Sequence, residues 1–167
     1  MKYFDTEKAI EAILYISHKQ DDLLHIMKAL FFADKMHLAK HGRSITGDVY
    51  IAMPHGHVPS GAFDIVKYVR GDGIYPIEAP VEEAFDVINN DEIKPKRDPN
   101  LEYLSESDIE SLEFGIAFVE KKSINELSEL CKKEPSYSKA GLDGKIPFKE
   151  LVLSLENGEE ILEYVAG

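Results

Sequence analysis

Residues 22–42 read DLLHIMKALFFADKMHLAKHG, and this stretch decides the fold. Its apolar side chains recur at three- and four-residue intervals and occupy more than one side of a helix, which predicts packing on several faces. Asp22 is placed to cap the beginning of this helix, and Gly42 can adopt the left-handed conformation that ends one. The stretch therefore predicts a central helix from Asp22 to about Lys40.

The core-facing side of this helix turns polar in its last two turns. Asp34, His37 and His41 are spaced i, i+3, i+7, and they continue the stripe that begins with Leu23 and Met27. A buried polar group must be hydrogen-bonded, or its desolvation destabilises the fold. We therefore expect these three side chains either to form a structural hydrogen-bond network or to line a functional surface.

The same side chains offer an alternative chemistry. His37 and His41 lie one helical turn apart and can chelate one metal ion, Asp34 can add a ligand, and His55 or His57 can supply another from the following loop. The zincin signature is absent, and no nucleophile or oxyanion element accompanies the Asp–His pair. A metal-binding protein or a hydrolase is thus the alternative, and a structural network is favoured over it.

Helices are also predicted on both sides of the central one. Asp5 is placed to cap the first helix and Ser60 the third, and the pairs Ser107/Glu110 and Ser123/Glu126 have the spacing of capping boxes. Together with apolar periodicity, these signals place the other helices near residues 6–19, 60–69, 107–119, 123–131 and 159–164.

Strand signals are few. Residues 48–53 are β-prone, and the Pro and Gly residues that follow are expected to break the chain. Residues 81–97 fit either a helix or a hairpin around an Asn-Asn-Asp turn, and residues 134–144 predict a loop. The sequence therefore predicts a mainly α fold (α+β), with a small β-hairpin or short antiparallel strand element, in one domain over residues 1–167.

Composition and charge narrow the possible partners. The chain has 167 residues, 44% of them hydrophobic and 30% charged, which is typical of a globular protein. Nineteen basic against 31 acidic side chains give a net charge of -12, which disfavours binding to nucleic acid or to an anionic membrane and suits a basic protein partner. The acidity is uneven, since residues 1–83 carry -3 and residues 84–167 carry -9.

The remaining signals point to a cytoplasmic protein and include no recognised catalytic motif. Cys131 is the single cysteine, so no intrachain disulfide can form, and it falls on an apolar helical stripe typical of a core residue. The N-terminus lacks a signal-peptide pattern, and no apolar run is long enough to span a bilayer. Phosphate-binding, dinucleotide-binding and nucleophile-elbow motifs are absent. No residue is therefore assigned to catalysis, cofactor binding or metal binding.

The run FFADKMHLAKHGRSITGDVYIAMPHGHVP, residues 31–59, resembles the core signature of the Panacea domain. That domain defines the SocA-like antitoxins, which are often described as phage-associated proteins. Ser44 and His57 depart from the pattern, because the family usually has Pro at both positions. Residues 103–108 resemble its Leu-Ser-x-Ser-Asp helix start, and residues 134–137 resemble its Glu-Pro-x-Trp element with Tyr in place of Trp. The positions that match within the core signature are Phe32, Asp34, His37, Gly42, Arg43, Ile45, Thr46, Gly47, Tyr50, Gly56, Val58 and Pro59.

The resemblance implies an antitoxin that neutralises a co-encoded toxin by direct protein contact, with no enzyme activity and no cofactor. At least one kind of family member acts instead as an adaptor that delivers its toxin to a bacterial AAA+ protease. The family fold is mainly helical with a small β element, which favours the hairpin for residues 81–97. Ten of these motif positions would then either order the loop of residues 42–60 or face the toxin, namely Phe32, Asp34, His37, Gly42, Arg43, Thr46, Gly47, Tyr50, Gly56 and Pro59.

Overall fold

The fold is built around α2 (Leu23–His41), the helix that the sequence places at the centre. The computed structural model describes residues 3–166, excluding the side chains of residues 165 and 166. The Asp22 carboxylate accepts a hydrogen bond from the His25 backbone N–H at 3.0 Å, and Gly42 ends the helix with a φ of 70°. Both caps are as predicted, and α2 is buried along most of its length because other elements cover several of its faces.

Helices dominate the rest of the described chain, and two antiparallel hairpins complete it. This confirms the predicted mainly α fold with a small β component. None of the helices described is long and apolar enough to cross a membrane. The other elements are α1 (Thr6–Ser17), β1 (Tyr50–Met53), β2 (Gly56–Pro59), α3 (Ser60–Arg70), β3 (Phe85–Ile88), β4 (Glu92–Pro95), α4 (Glu106–Glu120), α5 (Ile124–Lys132), α6 (Pro135–Ala140), α7 (Phe148–Leu153) and α8 (Gly158–Ala166).

The segment 81–97 forms a hairpin, which settles the alternative that its sequence leaves open. The residues at the start of the segment, where the apolar spacing is helical, form one 3₁₀ turn at Val81–Glu83. Strands β3 and β4 follow this turn. Asn89 and Asn90 lie in the turn with φ values of 53° and 68°, which Asn tolerates better than most residues. The Leu23 N–H donates to the Asp91 carbonyl at 2.8 Å and thereby fixes the hairpin against the start of α2.

A second hairpin occupies the stretch where the chain was expected to break. Strands β1 and β2 pair from Tyr50↔Pro59 to Met53↔Gly56, so that residues 54 and 55 form the turn. Pro59 fits here because it stands at the end of its strand, where no ladder N–H is required of it. The prediction of a break was wrong because Pro and Gly are compatible with the turn and the ends of so short a ladder.

Two predicted caps are wrong, and in each case other residues cap the helix. Helix α4 is capped by Ser105 in a capping box with Asp108, two residues before the predicted Ser107/Glu110 pair. Ser60 is the first residue of α3 and makes no cap hydrogen bond there. Asp48 caps α3 instead, because its carboxylate accepts from the Gly61 and Ala62 backbone N–H groups at 2.7 and 2.9 Å.

Three further local predictions are confirmed, and a fourth is wrong in part. Asp5 caps α1, and Ser123 with Glu126 forms the predicted capping box of α5. Cys131 is fully buried in the core, as its position on the apolar stripe indicates. The predicted loop at residues 134–144 is wrong in part, because α6 occupies residues 135–140 and begins with Pro at its first position, where the missing N–H costs nothing.

Helices α2 and α4 pack closely against each other at Gly115. A Cβ atom at this position of α4 would lie 2.2 Å from the Ala29 carbonyl oxygen and 3.2 Å from Ala33 Cβ on α2. No side chain fits in that space, so α4 can pack this closely on α2 only with glycine at residue 115.

We predict that Gly115→Ala lowers the free energy of unfolding by about 3 kcal/mol, since overpacking of a filled core forces helices apart. Chemical denaturation followed by circular dichroism measures the change. The sign alone is informative, because alanine in an unobstructed helix interior would stabilise it by about 1 kcal/mol relative to glycine. A variant more stable than the wild type would contradict the close packing of α2 and α4.

Candidate functional site

The residues of the family-like motif point into the protein rather than out of it. Of the ten motif positions assigned to a loop-ordering or toxin-facing role, seven are buried and three are partly buried. The motif therefore exposes little surface to a partner, and most of its contacts are within the protein. The buried positions are Phe32, Asp34, His37, Thr46, Tyr50, Gly56 and Pro59, and the partly buried ones are Gly42, Arg43 and Gly47.

Asp34 connects the end of α2 to the segment that follows it. Its carboxylate accepts a hydrogen bond from the Ile45 backbone N–H at 2.8 Å and another from the Tyr50 hydroxyl at 2.5 Å. Only 3% of Asp34 is exposed, and this burial raises the pKa of its carboxyl to about 6 despite the two donors. Burial, reinforced by the Asp34 charge, also raises the pKa of Tyr50 well above its usual value.

His37 holds the start of the same segment from the next turn of the helix. Its Nδ1 lies 2.7 Å from the Arg43 carbonyl oxygen, and its Nε2 lies 2.9 Å from the Ser107 hydroxyl of α4. A carbonyl only accepts, so Nδ1 carries the proton, and in a neutral ring Nε2 accepts from Ser107. Burial lowers the pKa of His37, which favours this neutral form. Both ring nitrogens are thus occupied by the protein itself.

Asp108 joins three further parts of the chain beside His37. Its carboxylate accepts from Lys8 Nζ of α1 at 2.8 Å and from the Ser105 backbone N–H at 2.8 Å, and Arg43 Nη1 lies 3.5 Å away. Burial acts to raise the pKa of Asp108, but the hydrogen bonds from Lys8 and Ser105 outweigh it and leave the pKa below its usual value. We call Asp34, His37, Arg43, Tyr50 and Asp108 the loop-anchoring cluster.

Two motif glycines lie where the backbone permits no other residue without strain. Gly42 has a φ of 70°, and a Cβ there would lie 2.9 Å from the Tyr164 ring of α8. Gly47 has a φ of 76°, and a Cβ there would lie 2.8 Å from the Tyr3 carbonyl oxygen. The Thr46 carbonyl accepts from the Asp5 backbone N–H at 2.9 Å, so this loop also holds the start of α1.

A second buried polar group fixes the β1–β2 hairpin to the middle of α2. Lys28 is fully buried, and its Nζ donates to the His57 carbonyl oxygen at 2.7 Å. Burial lowers the pKa of Lys28 to about 8. Gly56 allows this approach, since a Cβ there would lie 3.1 Å from Lys28 Nζ and 2.5 Å from Cys131 Cβ. The His57 ring stacks on Phe31 with centroids 4.1 Å apart.

The aromatic pair at the centre of α2 packs in two directions. Phe31 faces the hairpin, with its ring 5.3 Å from that of Tyr50, and Phe32 faces α4, with its ring 4.3 Å from that of Phe118. The motif position Phe32 is thus a core residue, and the contact joins α2 to α4.

The structure does not bring the candidate metal ligands together. The His37 and His41 rings are neighbours with centroids 4.7 Å apart, but both nitrogens of His37 are engaged and His41 is exposed. His57 contacts Ser136 and stacks on Phe31, and His55 lies in the exposed turn. Within residues 3–166, no group of three or more His, Cys, Asp or Glu side chains is arranged to hold a metal ion.

Sequence reasoning missed three of the groups that build this region. Lys8, Lys28 and Asp108 are all charged, and it gave none of them a buried structural role. The one available signal was the family-like run at residues 103–108, in which Ser105 precedes Asp108 by the three residues of a capping box. A role in toxin contact for the ten motif positions stays a prediction, whereas their loop-ordering contacts are those described above.

Ionisation of Asp34 gives a prediction for stability against pH. Its folded pKa of about 6 lies above the usual value near 3.9, so between these pH values the folded protein binds the additional proton. The contribution of Asp34 to the free energy of unfolding therefore falls as pH rises from 4 to 6, by about 3 kcal/mol for a shift of this size. Asp34→Asn removes this contribution, because the amide retains an acceptor for Ile45 and does not ionise.

Urea denaturation of the wild type and the variant from pH 4 to pH 7 measures the effect. We expect the stability of Asp34→Asn relative to the wild type to improve steadily over this range. Asp21→Asn, at an exposed carboxylate, controls for the loss of one negative charge. A stability difference between Asp34→Asn and the wild type that does not vary with pH would show that Asp34 is ionised equally in the folded and unfolded chains.

Comparison with known proteins places this arrangement in a family. The family model described as "Antitoxin SocA-like, Panacea domain" matches residues 26–137, which is more than half of the chain and includes Asp34, His37, Arg43, Tyr50 and Asp108. No curated protein and no solved structure matches the chain at a significant level. Through this match, the chain belongs to the SocA-like Panacea-domain antitoxin family.

Proposed function

We propose that this protein is the antitoxin of a two-gene toxin–antitoxin system, and that it neutralises a co-encoded toxin by binding it directly. The family match over residues 26–137 is the observation that carries the proposal. An antitoxin of this kind needs a rigid scaffold and an accessible surface, and the inward-facing motif supplies the first of these.

We propose further that the protein has no enzyme activity. The polar atoms of Asp34 and His37 are engaged by Ile45, Tyr50, Arg43 and Ser107, so neither side chain has a free atom with which to meet a substrate. General acid–base catalysis requires the acid or base to reach the reacting atom, at a heavy-atom distance of about 3 Å or through one water molecule. The geometry therefore supports an interaction protein better than the alternative of a metal protein or hydrolase.

Co-expression with the product of the neighbouring gene tests the proposal. We expect that gene product to arrest growth when expressed alone, and growth to return when this chain is induced with it. Purification through a tag on the toxin should then recover both proteins as one complex. A neighbouring gene product that is harmless alone, or growth rescue without complex formation, would contradict neutralisation by direct contact.

The lifetime of the toxin distinguishes two modes of neutralisation. Direct occlusion leaves the toxin intact, whereas an adaptor delivers it to a AAA+ protease and shortens its half-life. We expect occlusion, so the toxin half-life after translation is blocked should be unchanged or longer when this chain is present. Deletion of the host AAA+ proteases is the control, and a half-life that shortens only in cells that contain them would establish the adaptor mode.

A further inference from the structure

A groove runs beside the N-terminal end of α1. Two adjoining hollows of about 450 and 850 Å³ form it, and they share Glu7, Ala79 and Pro80. Its walls are the start of the chain with α1, the loop before β3 and the segment between β4 and α4. We call the surface that lines these two hollows, residues 3–7, 10, 11, 76–80, 97, 98, 100 and 103, the acidic groove.

The charge of the acidic groove is strongly negative. Among the described residues that line it, five are acidic and one is basic. The basic one, Arg97, is neutralised by Glu11, because its two guanidinium nitrogens donate to the two carboxylate oxygens at 2.8 Å each. Within residues 3–166, neither Glu7 nor Glu78 has a basic side chain within ion-pairing distance, and both are exposed. The acidic side chains are Asp5, Glu7, Glu11, Glu78 and Asp98.

Exposed apolar side chains surround the same groove. Large hydrophobic residues exposed to water are a feature of surfaces that bind other proteins, particularly when polar residues border them. Four of those that the structure exposes line the acidic groove or stand next to one of its lining residues in the chain, and Tyr3 and Tyr75 have exposed fractions of 84% and 61%. These four are Tyr3, Tyr75, Leu101 and Tyr103.

We propose that the acidic groove is the docking surface for a Lys- or Arg-rich segment of the toxin, a proposal that rests on the function proposed above. The carboxylates attract and orient the basic side chains, and the exposed tyrosines cover the apolar parts of the same segment. A second copy of this chain is disfavoured as the occupant, because two surfaces with the same negative charge repel each other.

Charge reversal at the groove tests the proposal against the product of the neighbouring gene. We expect Glu7→Lys, Glu78→Lys and Asp98→Lys, combined in the full-length chain, to slow association at low ionic strength by on the order of tenfold or more. The effect should shrink as salt is added, because the interaction is screened. Surface plasmon resonance measures the rate, and growth rescue in co-expression reports the consequence.

A matched triple reversal separates this local effect from a change in net charge. Glu120, Glu129 and Glu156 are exposed, do not line the groove, and change the net charge by the same amount when replaced by Lys. Glu120 is at the opposite end of α4 from the groove, about 22 Å away along the helix. We expect this variant to associate within about twofold of the wild-type rate, and both triples to retain the wild-type circular dichroism spectrum.

The apolar border gives an independent variant. Tyr3→Ala with Tyr75→Ala leaves every charge in place, so we expect it to raise the dissociation rate severalfold while association changes little. These two side chains are exposed, so we expect their replacement to leave the fold intact.

The possible outcomes distinguish the groove from the function. If the wild type binds and rescues but the two triple reversals weaken association equally, the groove is not the docking surface and the antitoxin function stands. If the wild type neither binds nor rescues, both proposals fall. If the wild type self-associates in sedimentation and the groove reversal abolishes this, the occupant is a second copy of this chain, and the proposal is overturned.

Discussion

The Asp34 carboxylate accepts hydrogen bonds from the Ile45 amide and the Tyr50 hydroxyl in a part of the core that excludes water. A buried carboxylate without such donors would oppose folding strongly. Its donors stand 11 and 16 residues further along the chain, so the only way to supply them is to fold the intervening segment back across the end of α2. That return positions β1, and from β1 follow the β1–β2 hairpin and the Asp48 carboxylate that caps α3. The constraint at one residue thus determines the course of the chain from residue 43 to residue 62.

The long motif at residues 31–59 is explained by two buried polar groups on α2, about one and a half turns apart. Lys28 holds the hairpin through the His57 carbonyl, and Asp34 holds the loop that precedes it. The segment that they hold contains three glycines with structural roles. Gly56 lets the backbone approach Lys28, and Gly42 and Gly47 adopt the positive φ values of its turns. The motif is therefore one folding unit, and because it faces inward, variation on the outer surface leaves it intact.

The features that could be predicted from the sequence are those decided by neighbouring residues. Asp5, Asp22 and the Ser123/Glu126 box cap their helices through groups three residues away, and each was predicted correctly. At α4 two overlapping boxes are available, and local spacing cannot choose between them. The choice falls to Ser105/Asp108 because Lys8 and Arg43, both distant in sequence, pair with Asp108 in the core. The roles of Asp48 and Lys28 also depend on residues that are distant in sequence. Asp48 caps α3 from 13 residues away, and Lys28, a residue type usually found at the surface, is buried because its Nζ donates to the His57 carbonyl. Sequence patterns also identified Asp34 and His37 as buried polar groups, but not the partners that make them structural.

Long-range ion pairs also change how the net charge of -12 should be interpreted. Counted along the chain, the first half appears nearly neutral and the second half strongly acidic. In the structure, Lys8, Lys19, Lys35 and Lys40 of the first half pair with Asp108, Glu113, Glu134 and Glu110 of the second. These four pairs neutralise carboxylates of the second half. The four lysines are therefore not available to neutralise carboxylates of the first half. Four of the five acidic residues that line the acidic groove belong to the first half of the chain. This is the half with the smaller net charge when charges are summed along the sequence. A partner attracted by charge therefore meets the field of the unpaired surface carboxylates, and the location of that field follows from the tertiary pairing rather than from the composition of either half.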